Sequence, residues 1–123
     1  MLRYVELKTG YSDNGPAWIG RVWTSRSGRT VYFNGKALKR SRSQGSGSHF
    51  DIESGESYWI SEVKKNGEDR HSCGSGKVAI ETGVVEEYLE LIGSRKLDKS
   101  RLYVVADLEA PDPAKFHDLE NDG

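Results

Sequence analysis

The 123 residues carry 35% hydrophobic and 30% charged side chains, with three Trp, six Tyr and three Phe to fill a core. That length suits one domain, in which folding buries roughly two-thirds of the surface the unfolded chain exposes. No apolar run approaches the roughly 20 residues that cross a bilayer, and Glu6 stands where a signal peptide needs an apolar stretch, so the chain reads as cytoplasmic with no membrane partner. The single cysteine, Cys73, excludes an internal disulfide framework and fits a reducing compartment.

A formal net charge of −1 hides a strong polarity. Residues 1–50 hold nine Lys/Arg against two Asp/Glu, a balance of +7, and the remainder holds nine against seventeen, a balance of −8. Folding either pairs one half against the other or leaves a basic surface that attracts an acidic partner.

Leu2 to Lys8 reads as a strand, followed by a run of turn residues from Thr9 to Pro16. Ala17 to Thr24 reads as a second strand, with Trp18, Gly20 and Val22 on one face and Ile19, Arg21 and Trp23 on the other. Ser25-Arg26-Ser27-Gly28 makes a tight connection to a third strand from Arg29 to Asn34. Asn34-Gly35 is the dipeptide of two-residue type I′ hairpins, so Lys36 to Arg40 returns beside it as a fourth strand. A three-strand meander results.

Ser41 to Ser48 has no apolar side chain to bury and reads as a loop. Phe50 to Glu53 and Ser57 to Lys65 form a second hairpin, with Trp59 and Val63 on the face opposite Tyr58 and Ile60. Lys77 to Glu81 is a further short strand. In Val84 to Ile92, apolar Val85, Tyr88, Leu89 and Ile92 recur at helical spacing, with Thr82 as the expected N-cap and Gly93 as the stop. Leu102 to Ala106 reads as a last, rather buried strand, and Pro111 to Gly123 as an acidic, frayed tail.

Many short strands, one late helix and no βαβ alternation predict a mainly β fold: a small SH3-like barrel or bent antiparallel sheet with one C-terminal helix and a late strand. Residues 1–110 would form the single domain.

The stretches Trp18-Ile19-Gly20-Arg21-Val22, Ser27 to Lys36, Tyr58-Trp59-Ile60-Ser61 and Asp69-Arg70-His71 resemble a family of short bacterial proteins with no established activity. The resemblance covers about residues 3–90 and implies no catalytic residue. Some members bear the name deoxyxylulose-phosphate synthase, a thiamine-dependent enzyme that needs large α/β domains to hold its cofactor. A chain of this length cannot supply them, and no cofactor is expected.

Asp69, Arg70, His71 and Cys73 form the densest reactive cluster, with His49 and Asp51 as further candidates if their strands pair. A Cys–His pair supports nucleophilic catalysis when the imidazole lowers the thiol pKa and a third group orients it. Zinc would demand more cysteines at paired spacings than Cys73 alone offers. Gly74-Ser75-Gly76-Lys77 lacks the Gly and Ser/Thr positions, and the following helix, of a phosphate-binding loop.

The basic run Lys36, Lys39, Arg40 and Arg42 has no acidic interruption. With Arg26 and Arg29 it forms a prospective phosphate-contacting rim, and Tyr32 or Trp23 is a prospective stacking platform. The leading expectation is therefore a non-enzymatic binding module that contacts a nucleic-acid backbone or an acidic protein. The alternatives are a small enzyme built on the His71 and Cys73 loop and a homo-oligomeric structural protein joined through an exposed sheet edge.

Overall fold

Alternation in the first strand, Leu2–Leu7 (β1), puts Leu2 and Tyr4 on one side and Val5 and Leu7 on the other, and both sides are covered by apolar groups. The computed structural model describes residues 1–8, 16–41, 48–64 and 77–109. After β1 come β2 (Ala17–Arg21), β3 (Trp23–Thr24), β4 (Thr30–Phe33), β5 (Lys36–Arg40), β6 (His49–Asp51) and β7 (Ser57–Ser61). Then follow β8 (Val78–Glu81), a 3₁₀ turn (Thr82–Val84), helix α1 (Val85–Ile92) and β9 (Leu102–Val105).

One sheet holds these strands in the order β3-β4-β5-β6-β7-β1-β2-β8-β9. Consecutive β2 and β3 are separated only by Val22, a gap the backbone spans in about 7 Å. Flat strands at their usual spacing would put them about 29 Å apart. The sheet therefore curls into a half-barrel until its β3 margin returns to β2, and Trp18 of β2 meets Phe33 of β4 edge-to-face at 5.7 Å.

Inside the curl lie Val5, Val22, Val31, Phe33, Leu38 and Tyr58, with Leu7, Trp18, Ile60 and Leu108 packed against them. On the outer face of β1, β2 and β8, Tyr4, Ile19, Val78 and Ile80 pack under Val84 and Tyr88, with Val85, Leu89 and Ile92 of α1 beside them. The predicted helical spacing is thus the face that docks on the sheet.

The mainly β fold with a single late helix agrees with the sequence expectation, and four details differ. The second predicted strand is broken at Val22, whose N–H bonds the Met1 carbonyl at 2.8 Å where the chain turns the corner from β1 towards β4. The sheet is not wholly antiparallel: β8 runs parallel to β2, and β9 parallel to β8, so β8, α1 and β9 form a βαβ unit. Only four residues in each of these strands mark the unit, too few to announce it in the sequence.

Thr82 does not cap α1. Its Oγ1 donates to the Val105 carbonyl at 2.8 Å, and Val84 holds the N-cap position without a side-chain hydrogen bond. Gly93 does stop the helix, at φ 70°. In β9 only Leu102 is buried, because no described strand flanks its outer edge. The predicted tail from Pro111 lies outside the described residues.

Candidate functional site

The connection from β3 to β4 is a tight turn. Gly28 adopts φ 76° and its N–H bonds the Ser25 carbonyl at 2.9 Å, while Ser25 N–H bonds the Thr30 carbonyl at 2.8 Å. The Ser25 and Ser27 hydroxyls accept from Thr30 N–H and Arg29 N–H, at 3.1 and 3.3 Å. With the backbone groups satisfied locally, Arg26 and Arg29 are carried outward and both are exposed.

Across the hairpin, Asn34 and Gly35 both have positive φ, 50° and 70°, as a type I′ turn requires. That turn sets the register Phe33 opposite Lys36, Val31 opposite Leu38 and Thr30 opposite Lys39. One rung further, Arg40 N–H bonds the Arg29 carbonyl at 2.9 Å, and Arg40 in turn pairs with His49 of β6. Arg29, Arg40 and His49 thus form a row across three adjacent strands.

Among the described residues, Arg26, Arg29, Lys39 and Arg40 form no ion pair. Lys36 differs: its Nζ lies 3.7 Å from Oδ2 of the buried Asp51, whose other oxygen accepts from Glu53 N–H at 2.9 Å. Of the two aromatics considered for stacking, Tyr32 is buried against Ala37 and Ile52 and offers no platform. Trp23, its cross-strand partner, is 41% exposed. Register puts Trp23 and Lys39 on one face of the meander and Arg29 and Arg40 on the other.

Sequence reading considered His49 only as an addition to the His71 loop if their strands paired, and missed its place in this row. Ser48 Oγ accepts from Ile60 N–H at 3.0 Å and lies 2.9 Å from His49 Nδ1. Burial lowers the imidazole pKa below its usual 6.5, and the Arg40 charge lowers it further. Its neighbour Tyr58 is pushed up to about 12, mainly by burial and then by Glu56 and Asp51, so its phenol remains neutral in the core.

Two acidic groups of the later segment reach the meander, Glu109 beside Gly35 at the β4–β5 turn and Asp51 beside Lys36, and the others with identified partners are engaged away from it. Glu81 accepts from Arg21 N–H and Leu108 N–H, each at 3.1 Å, and Glu87 lies 3.5 Å from Arg21. Asp98 bonds Ser100 and faces Arg101, and Asp107 accepts from Gly83 N–H at 2.7 Å. An open cleft of about 540 Å³ between β1 and α1, lined by Leu2, Val63, Leu91, Arg3 and three glutamates, has the opposite electrostatic character.

Arg42, Asp69, Arg70, His71 and Cys73 lie outside the described residues. Asp51, considered with that loop, is buried beside Lys36. No three His, Cys, Asp or Glu among the described residues are grouped to hold a metal, and no described helix is long and apolar enough to cross a membrane. The chain matches no family model, and no curated protein or solved structure is significantly similar to it.

Proposed function

We propose that this domain is a non-enzymatic binding module whose basic meander contacts the phosphate backbone of a nucleic acid. One observation carries the reading: Arg26, Arg29 and Arg40 are exposed and form no ion pair among the described residues, while Asp51 is taken by Lys36 and Glu81, Glu87, Asp98 and Asp107 have partners outside the meander. Guanidinium groups present a planar fork of donors that matches phosphate oxygens, and neighbouring arginines add an attraction that falls with salt. Trp23 and Lys39 on the other face supply a ring for a base and a cation for the next phosphate.

The test is fluorescence anisotropy of a labelled single-stranded oligonucleotide across a salt series. Binding should weaken linearly on a log–log plot, and each phosphate contact removed by Arg29→Glu or Arg40→Glu should lower the slope by roughly 0.7. Affinity that ignores both salt and charge reversal would overturn the proposal. Polyglutamate is the control: if it competes as well as the oligonucleotide, and Trp23→Ala changes nothing, the surface belongs to an acidic protein instead.

A further inference from the structure

Among the described residues the sheet ends at β9, a four-residue edge strand that carries no charged or proline guard. Leu102-Tyr103-Val104-Val105 contains no charge and no proline, and Tyr103 and Val104 are 49% and 52% exposed. The phase of the parallel ladder shows which backbone groups are free. Val78 N–H bonds the Arg101 carbonyl at 2.8 Å, so residues 101, 103 and 105 turn their backbone groups to β8 and residues 102 and 104 turn theirs outward. Leu102 N–H is taken by the Asp98 carbonyl at 2.9 Å. The Leu102 carbonyl and both backbone groups of Val104 remain, and no described residue accepts from or donates to them.

We infer that β9 is a dimerisation strand, on which a second copy of this chain lays its own β9 antiparallel across a two-fold axis at Val104. This register uses the free groups: the two Val104 residues exchange both backbone bonds, and each Leu102 carbonyl faces the Ala106 N–H of the other copy. Tyr103 stands opposite Val105 of the second copy, an aromatic–β-branched pair of the kind that stabilises sheets. Arg101 stands opposite Asp107 of the second copy, so the ends of the strand carry opposite charges and the edge is complementary to itself. A sheet running through both copies results.

The inference is independent of the meander and is tested separately by sedimentation equilibrium. The native chain should sediment at twice 13.7 kDa as its concentration rises. Val104→Pro removes an outward N–H and leaves the β8 ladder intact. Losing both intermolecular Val104 bonds should weaken association roughly thirtyfold. Val104→Lys tests the same contact without altering the backbone, and circular dichroism checks that both variants fold. In a Cys73→Ser background, Val104→Cys should cross-link under mild oxidation, since opposed residues at that rung stand about 5.5 Å apart between Cα atoms. A mass of 13.7 kDa at millimolar protein overturns the proposal. So does a dimer that survives Val104→Lys.

Discussion

Arg40 donates its backbone N–H to the Arg29 carbonyl at 2.9 Å, which holds two exposed guanidinium side chains on neighbouring strands and on the same face of the meander. Like charges at such a position repel unless an anion lies between them. The fold supplies none among the described residues, and Asp51 of the adjoining β6 is committed to Lys36. The local arrangement therefore costs stability, a cost that the proposed phosphate contact would offset.

This asymmetry separates two cations that the sequence presents as equivalent. Arg40→Ala should weaken oligonucleotide binding several-fold, with a lower salt slope. Lys36→Ala should change affinity less than about twofold, because its charge is already matched by Asp51, and should instead lower stability by about 1 kcal/mol by leaving a buried carboxylate with one partner fewer. Anisotropy and urea unfolding of the same two variants check both halves.

His49 reports on the row directly. Its pKa is held below 6.5 first by burial and then by Arg40, so Arg40→Ala should raise it while burial keeps it below 6.5. Bound phosphate should raise it as well. A folded-state pKa below the unfolded value means that the unfolded chain takes up the proton first as pH falls. Stability should thus be unaffected by this group above 6.5, decline as pH drops through 6.5, and level off once the folded imidazole titrates too. Imidazole proton shifts across a pH series, with and without oligonucleotide, check the direction, and His49→Gln should remove this part of the pH dependence.

Much of the fold was legible where local chemistry decides it. Asn34-Gly35 dictates a turn type, and the turn dictates which residues of β4 and β5 face each other. Alternation from Tyr58 through Val63 sorted Tyr58 and Ile60 into the half-barrel interior and Trp59 and Val63 to the outer core, although the strand itself ends at Ser61. What local chemistry does not encode was misplaced. The parallel pairing of β8 with β2 joins segments about sixty positions apart, and nothing in Val78–Glu81 specifies direction. Tyr32 and Trp23 are equally good stacking aromatics as residues, and only the packing of Ala37 and Ile52 buries the first. His49 joined the arginine row because β6 pairs with β5, a register set across the Ser41 to Ser48 connection rather than by its composition.

The hairpin turn that sets the arginine register is itself testable. Gly35 sits at φ 70°, where a side chain is strained, and a Cβ there would also overlap the Glu109 carboxylate. Gly35→Ala should cost about 1–2 kcal/mol, read as a lower urea midpoint with an unchanged slope. Asn34→Gly should be tolerated far better, since glycine adopts the same positive φ without strain.

Gly20 marks the point where the curled sheet closes on its own far strands. A Cβ on Gly20 would overlap the Glu81 carboxylate and press on the Phe33 ring. Glu81 is buried and cannot swing away freely, because its two oxygens accept from Arg21 N–H and Leu108 N–H. Gly20→Ala should therefore destabilise by about 1–3 kcal/mol, the usual penalty for overpacking a filled interior. Glu81→Ala should cost a similar amount for a different reason, leaving two backbone donors without their acceptor. If the overlap is with the carboxylate, the double variant should cost clearly less than the sum of the two, since removing Glu81 makes room for the new methyl group. Urea unfolding of the four proteins closes the cycle, and strict additivity would place the strain on Phe33 instead.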